Sequence, residues 1–298
     1  MVRGIQQLRD RYDAILLDLD GTLLDGRSQV TPRTVRAVKA LEKAGFTVIL
    51  CTGRSLPGTR RVHKDLGLTT PVAAYNGCWI GRLEEAPWRY APIPDHAAAH
   101  VLETEGQASF SFRHRGEHKY THVKEHDDHV RVADWYENVV RVAHPGELPA
   151  TDLMRVSLFF DDAGASESAW SAIPAPVREG LHRETFPLSL FPDFRDSHLI
   201  LCELQRRGKG KAEMYDWLRD EAGIPSERTI AVGDHQNDAS MMAGAGLAVA
   251  MGNATGEILG LADLVIGHHA DEGFAAWVEA GAPSPATPST GLGAGPSA

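Results

Sequence analysis

Short, uninterrupted apolar runs alternate with amphipathic stretches along the first quarter of the chain. Residues 14–19 (AILLDL) form one such run, soon followed by Gly21, and read as a buried strand. Thr31-Pro32 supplies an N-cap residue and a proline at the first helical position. Val35, Val38 and Leu41 then recur at helical spacing, and Gly45 closes the helix. Residues 46–50 (FTVIL) predict a second strand, 57–66 a helix and 71–74 a third strand. That order points to a parallel sheet with covering helices.

The rhythm resumes late, with a strand at 199–204 (LILCEL), a helix at 209–222 and a strand at 228–232 (RTIAV). A helix at 238–243, strands at 247–250 and 263–266 and a helix at about 271–280 complete it. Between these blocks the texture changes and most of the 14 histidines are concentrated. Strands are predicted there at 108–112, 154–160 and 186–190, and helices at 95–105 and 127–137. The prediction is a second α/β domain, 83–191, inserted into a discontinuous core formed by 1–82 and 192–282. Residues 283–298 (PSPATPSTGLGAGPSA) have the Pro-, Gly- and Ser-rich composition of a disordered tail. No internal repeat is evident.

The 298 residues agree with two domains. With 40 acidic and 30 basic side chains the net charge is −10. That disfavours both nucleic-acid backbones and anionic membrane surfaces as partners. An apolar fraction of 43% is ordinary for a protein that buries a core. Cys51, Cys78 and Cys202 are too few and too far apart for a disulfide framework or zinc knuckle. The charged start MVRGIQQLRDRYD has no apolar signal core, and no run approaches the ~20 residues of a membrane span, so a cytoplasmic protein is expected.

Four motifs carry chemistry. Asp18-Leu19-Asp20-Gly21-Thr22 closes the first strand. Residues i and i+2 share a strand face, so both carboxylates are expected near its carboxyl end, where open α/β sheets bind ligands. Two like charges there need a shared cation or a proton. One carboxylate can attack an electrophile while the other donates a proton. The places that a calcium loop counted from Asp18 reserves for Gly and Glu hold Leu23 and Gln29, which discards that reading. Thr52-Gly53-Arg54 follows the second strand and offers a hydroxyl and a glycine N–H to a phosphate. In Gly208-Lys209-Gly210-Lys211, a lysine opposes the helix dipole unless an anion sits before it. Gly233-Asp234-His235-Gln236-Asn237-Asp238 again ends a strand with carboxylates; with Asp18, Asp234 would give Mg²⁺ its one or two carboxylates. Taken singly, each motif also reads as an ordinary turn: a solvated Asp-Gly turn, a strand-to-helix turn, a basic turn beside Arg206 and Arg207, and an Asx cap for the next helix. All four, however, fall on one edge of the predicted sheet.

Together these motifs resemble the haloacid dehalogenase superfamily, and more narrowly its Cof-like phosphatases. Tyr75-Asn76-Gly77, residues 248–254 (AVAMGNA) and Asp271-Glu272-Gly273 add to the resemblance, which covers nearly all of the chain except the tail. It implies a Rossmann-like parallel sheet core with helices on both faces, plus an inserted α/β cap domain. It further implies that Asp18 is the nucleophile, forming an aspartyl-phosphate, and that Asp20 protonates the leaving alcohol and then activates water. Mg²⁺ would be held by the Asp18 and Asp234 carboxylates and the Asp20 carbonyl, with Asp238 supporting the site beside the metal. Thr52, Gly53, Lys209 and Asn237 would hold the phosphoryl oxygens. Arg54, Asn76 and Lys211 are further candidates. The family pattern is often Lys-Gly-x-Ala-Leu, but here Glu213 stands last, and Lys211 competes with Lys209. Haloalkanoate dehalogenases lack the second aspartate, and P-type ATPases carry threonine there. Asp20 therefore implies rapid hydrolysis of the phosphoenzyme.

The expected function is Mg²⁺-dependent hydrolysis of a small phosphorylated metabolite, a sugar or cofactor phosphate. The alternatives are a phosphotransferase or phosphomutase and a non-catalytic phosphometabolite sensor. His114, His118, His122 and His126 recur every fourth residue, but Gly116, Thr121 and Val123 disfavour the helix a metal stripe would need. Solvated surface, or substrate reading by some of Arg113, His114, His118 and Lys119, is the alternative.

Overall fold

A computed structural model describes residues 2–104, 108–113, 118–122, 128, 131–132, 139–142, 147 and 151–283. Helix α1 (Val2–Arg11) leads into β1 (Ala14–Leu17), followed by α2 (Pro32–Lys43), β2 (Thr47–Cys51), α3 (Leu56–Leu66) and β3 (Val72–Ala74). Two short strands, β4 (Trp79–Gly81) and β5 (Arg89–Tyr90), extend that sheet. The middle of the chain contributes α4 (Asp95–Leu102), β6 (Ala108–Arg113), β7 (His118–His122), β8 (Val139–Arg141) and β9 (Leu153–Phe160). After α5 (Ala163–Ala172) and α6 (Ala175–Glu179) come β10 (Leu181–Pro187) and β11 (Ile200–Arg206). The chain then returns through α7 (Met214–Ala222), β12 (Thr229–Gly233), α8 (Ala239–Gly244), β13 (Leu247–Ala250), α9 (Gly256–Leu261), β14 (Leu264–Val265) and α10 (Gly273–Glu279).

The first sheet has the order β14-β13-β12-β1-β2-β3-β4-β5. It is parallel from β14 to β3, and β4 and β5 add antiparallel strands at one edge. Strand alternation divides its side chains between two cores. Ile15, Leu17, Val48, Leu50, Ile230 and Val232 pack with Ile5, Leu8, Val38, Leu41, Val62 and Phe274 from α1, α2, α3 and α10. Ala14, Leu16, Ile49, Ala231 and Ala248 pack with Met214, Leu218, Met241 and Ile258 from α7, α8 and α9. Helices thus cover both faces, as expected, although the sheet is mixed rather than wholly parallel. Thr31 caps α2 as its sequence suggests, its hydroxyl accepting from Thr34 N.

The second sheet has the order β10-β11-β9-β6-β7-β8, antiparallel except for the β7–β8 pair. Its apolar face (Val156, Leu158, Phe160, Cys202, Leu204) packs on Ala97, Ala98 and Val101 of α4. The strand expected in the core at 199–204 belongs here, paired with both β9 and β10. Two 3₁₀ turns (Leu188–Leu190 and Pro192–Phe194) separate it from β10, and the two strands pair antiparallel. The strand expected at 186–190 instead ends at Pro187, and the first of those turns occupies its second half. His118 and His122 lie at the ends of β7. His114, His126, most of the helix expected at 127–137 and the tail from 284 onward lie outside the described residues. Among the described residues, no helix is long and apolar enough to cross a membrane.

Candidate active site

β1 lies between β12 and β2, and the parallel register pairs Leu17 with both Val232 and Leu50. The three strands therefore end at one level, and their continuations carry Asp18, Asp234 and Thr52. The chain steps outward from β1 through β2 and β3 on one side and later from β12 through β13 and β14 on the other, so the strand order reverses between β1 and β12, the switch point at which open α/β sheets bind ligands.

β1 stops at Leu17, so Asp18 and Asp20 are placed by a turn rather than by strand alternation. Asp18 N still bonds to Val232 O at 3.1 Å, but Gly21 turns the chain at φ +79°. Asp18 is buried at 4% exposure. Asp20 points outward, held at the surface by a two-pronged pair with Arg54 (Nη2–Oδ1 2.5 Å, Nε–Oδ2 2.7 Å). Gly21 also admits Asp234: a Cβ there would lie 2.2 Å from Asp234 Oδ2. Gly21→Ala is therefore expected to combine a strained φ with loss of the Asp234 position, lowering stability by about 1–3 kcal/mol. Thermal denaturation with and without Mg²⁺ checks this; a variant equal to wild type in both contradicts it.

Three carboxylates converge. Asp18, Asp234 and Asp238 each present an oxygen within 4.8 Å of the others. Lys211, fully buried, donates to Asp18 Oδ1 at 2.5 Å and to Asp238 Oδ1 at 2.6 Å. Asp238 Oδ2 accepts from the backbone N–H groups of Asp234 (2.9 Å) and His235 (3.1 Å). Asp234 accepts from Thr22 Oγ1 at 3.2 Å and from Asn253 Nδ2 at 3.0 Å, and the same Asn253 amide reaches Gly21 O at 2.8 Å.

Burial, then the Asp238 charge, raises the Asp18 carboxyl well above the usual range despite Lys211. The same two causes push Asp234 up to about 7. Burial draws Lys211 toward neutrality, but Asp18 and Asp238 outweigh it and hold the ammonium well above the ordinary lysine range. Three carboxylates facing one ammonium leave an excess of negative charge in a buried space. An all-oxygen donor set with that excess fits a hard divalent cation such as Mg²⁺.

Thr52 and Gly53 follow β2 beside this cluster. Thr52 is buried, and its hydroxyl accepts from Arg54 N at 3.0 Å. A Cβ on Gly53 would fall 3.1 Å from Asn76 Oδ1 and 3.5 Å from Asn237 Nδ2. Asn237 Nδ2 donates to Asn76 Oδ1 at 3.2 Å, and Asn76 itself sits at φ +52° with its Nδ2 buried and unpartnered in the protein. Gly53, Asn76 and Asn237 therefore lie together, and Arg155 from the second sheet reaches the same loop, its Nη1 donating to Gly53 O at 2.9 Å.

The backbone of the Gly208–Gly210 turn lies near Asn76 and Asn237, but the Lys209 ammonium does not reach the carboxylate cluster. That ammonium pairs with Asp216 at 2.7 Å and the side chain is 63% exposed. Gly210, at φ +65°, starts a 3₁₀ turn (Gly210–Glu213), on which residues two apart do not share a face. Lys211 is thereby the lysine that enters the site. Glu213, which departs from the family pattern, accepts from Arg89 Nη2 (2.9 Å) and Lys209 N (3.0 Å) and so fastens the turn.

Sequence reasoning missed Asn253 and Thr22 as partners of Asp234, and Arg155 with its buried ion-pair partner Glu203 (3.1 Å). The available signal for the latter was polar residues at alternate positions of apolar strands: Arg155 and Ser157 in β9, Glu203 and Gln205 in β11.

The family described as haloacid dehalogenase-like hydrolase matches residues 15–278. The chain is 27% identical over 278 residues to the 5-amino-6-(5-phospho-D-ribitylamino)uracil phosphatase YitU of Bacillus subtilis, covering 89% of this chain and 96% of that protein. It is 25% identical over 271 residues to the pyridoxal phosphate phosphatase YbhA of Escherichia coli, with 89% and 96% coverage. A crystal structure of a haloacid dehalogenase-like hydrolase from Bacteroides thetaiotaomicron superposes with a TM-score of 0.73 at 22% identity, over 90% of this chain and 99% of that one.

Proposed function

From the chain's membership of the haloacid dehalogenase-like hydrolase family, we propose that it is a Mg²⁺-dependent phosphatase that hydrolyses a small phosphorylated metabolite through an aspartyl-phosphate on Asp18. The observation that carries this reading is the buried Asp18–Lys211–Asp238 cluster beside Asp234, at the strand ends next to Thr52 and Gly53. The chain's similarity to a 5-amino-6-(5-phospho-D-ribitylamino)uracil phosphatase and to a pyridoxal phosphate phosphatase supports the substrate class.

The Asp18 and Asp234 carboxylates and the Asp20 carbonyl would hold the Mg²⁺. When bound, the ion supplies Lewis-acid withdrawal of charge from the transferring phosphoryl group. Asp238, whose oxygens already accept three hydrogen bonds, holds Lys211 and the Asp234 backbone in place. Lys211 opposes the burial that raises the Asp18 carboxyl and, together with the bound cation, would leave it ionised for attack; its ammonium would then share the phosphoryl charge. Thr52, Gly53 N–H and Asn237 orient the phosphoryl oxygens. Asp20, at the mouth of the site, gives its proton to the leaving oxygen and takes one from the water that attacks the phosphoenzyme. Arg54, which now donates to both Asp20 oxygens, would release one of them for Asp20 to carry that proton. The second sheet, touching the Gly53 loop through Arg155, excludes bulk water as a cap over the site.

Release of inorganic phosphate from a panel of monoesters with Mg²⁺ tests the reading. Hydrolysis that persists in excess EDTA contradicts it.

The protonation pattern gives a second expectation. Asp18 and Asp234 titrate higher in the folded chain than in the unfolded one. The metal-free native state thus binds more protons than the unfolded state, and its stability falls as pH rises toward and through about 7. The cation offsets the charge that deprotonation creates, so the rise in Tm with Mg²⁺ should grow from pH 5 to pH 8. Melting curves across that window check it; an increment that shrinks as pH rises contradicts it.

A further inference from the structure

Gln205 lies on β11 with 2% of its surface exposed, and neither its amide nitrogen nor its amide oxygen has a hydrogen-bond partner in the protein. Among the described residues it is the side chain in which both ends of a buried polar group are left open. Leaving such a group buried and unpaired is costly, and native proteins tolerate it mainly where a ligand or water completes the bonds. Its surroundings indicate which. Gln205 lines a cavity of about 180 Å³ whose wall also includes Asn76, Gln236 and Asn237 from the core and His182 from β10. Asn76 and Asn237 also face the Gly53 position, where a Cβ would fall 3.1 Å from Asn76 Oδ1 and 3.5 Å from Asn237 Nδ2, so the cavity borders the Gly53 turn. The cross-strand register places His182, Gln205 and Arg155 in one row of that sheet, on one face. Arg155 in the same row reaches Gly53 O, so this face meets the phosphate loop.

Resting on the phosphatase reading, we propose that Gln205 is a specificity-determining residue that binds the alcohol part of the substrate through both amide atoms. A carboxamide presents a donor and an acceptor side by side and carries no charge. The matching group is neutral and offers an acceptor and a donor on one edge. A vicinal diol of a sugar or polyol and a lactam edge of a pyrimidine share that chemistry. The unpartnered Nδ2 of Asn76 gives the same cavity a further donor.

The test compares Gln205→Leu with the unaltered protein on four Mg²⁺-supported substrates: a hexose phosphate, a pentose phosphate, 2′-deoxyuridine monophosphate, which has the lactam edge but no vicinal diol, and p-nitrophenyl phosphate. The last has neither edge. The kcat/KM ratio of the best edge-bearing ester to p-nitrophenyl phosphate is expected to fall on the order of 10- to 100-fold. Loss confined to the sugar esters identifies the diol, and loss confined to the deoxyuridine ester identifies the lactam. The melting temperature of Gln205→Leu is expected to rise by roughly 2–4 °C, because an unpaired buried amide is removed. A purely structural Gln205 would lower it. Gln205→Glu, of the same size, should depress the same ratio by placing a charge against a neutral group. Ratios within about threefold of the unaltered protein in both variants, or a lower melting temperature with equal loss on every ester, overturn the assignment. Absence of phosphate release from all four esters by the unaltered protein instead overturns the phosphatase reading beneath it.

Discussion

Replacing Lys211 with alanine is expected to reduce phosphate release by about 10³-fold, while Lys209→Ala leaves it near the wild-type rate. The two lysines lie in one Gly-Lys-Gly-Lys stretch but in opposite environments. Lys211 is the buried cation among Asp18, Asp238 and Asp234, and its removal leaves those carboxylates facing one another without an ammonium. Breaking a buried charge pair from one side costs about 3–5 kcal/mol, part of which the remaining carboxyls recover by taking up protons. Lys211→Ala should therefore be less stable as well as inactive, and Lys211→Arg should not rescue it, because a planar guanidinium is bulkier than the fully buried ammonium it replaces and cannot reproduce its two short bonds to Asp18 and Asp238. Lys209 makes a solvent-exposed pair with Asp216, of a kind worth about 0–1 kcal/mol. Steady-state kinetics and denaturant melts of both alanine variants decide it. An inactive Lys209→Ala beside an active Lys211→Ala contradicts the site described above.

Asp18→Asn is expected to abolish phosphate release without unfolding the protein. The amide is nearly isosteric and keeps an oxygen for Lys211, but it is no nucleophile. It also removes a carboxyl that burial and the Asp238 charge already hold well above the usual range. The metal-free variant should melt no lower than wild type, and the stabilisation that Mg²⁺ confers should shrink because a carboxylate ligand is gone. A variant that retains even one-tenth of the turnover would require another nucleophile. Loss of activity accompanied by collapse of the fold would make Asp18 a structural residue.

Much of this was legible in the chain. β1, β2, β12 and β13 are continuous apolar runs because both faces of the central sheet are buried, and such runs are distinctive. The residues after them, Asp18, Thr52 and Asp234, fall at the strand ends by simple continuation. The lysine was harder, because both candidates are flanked by glycine. Only the positive φ of Gly210 and the 3₁₀ turn that follows decide which one points inward. β11 was misplaced for a different reason. An apolar run reads alike in a parallel core and in an antiparallel sheet buried on both sides, and only the pairing with β9 and β10 separates them. β4 and β5 are too short to carry a period. Arg155, Glu203 and Gln205 look like interruptions of apolar strands until the second sheet is set against the Gly53 loop.

The most direct test of the central claim is acid-quench trapping of the phosphoenzyme. The protein is mixed with a radiolabelled phosphomonoester and Mg²⁺, quenched within the first turnover, digested and mapped. The account predicts a hydroxylamine-labile label on the peptide containing Asp18, increased in Asp20→Asn, where hydrolysis lacks its base, and absent in Asp18→Asn. A label on any other residue, or full turnover by Asp18→Asn, would contradict it.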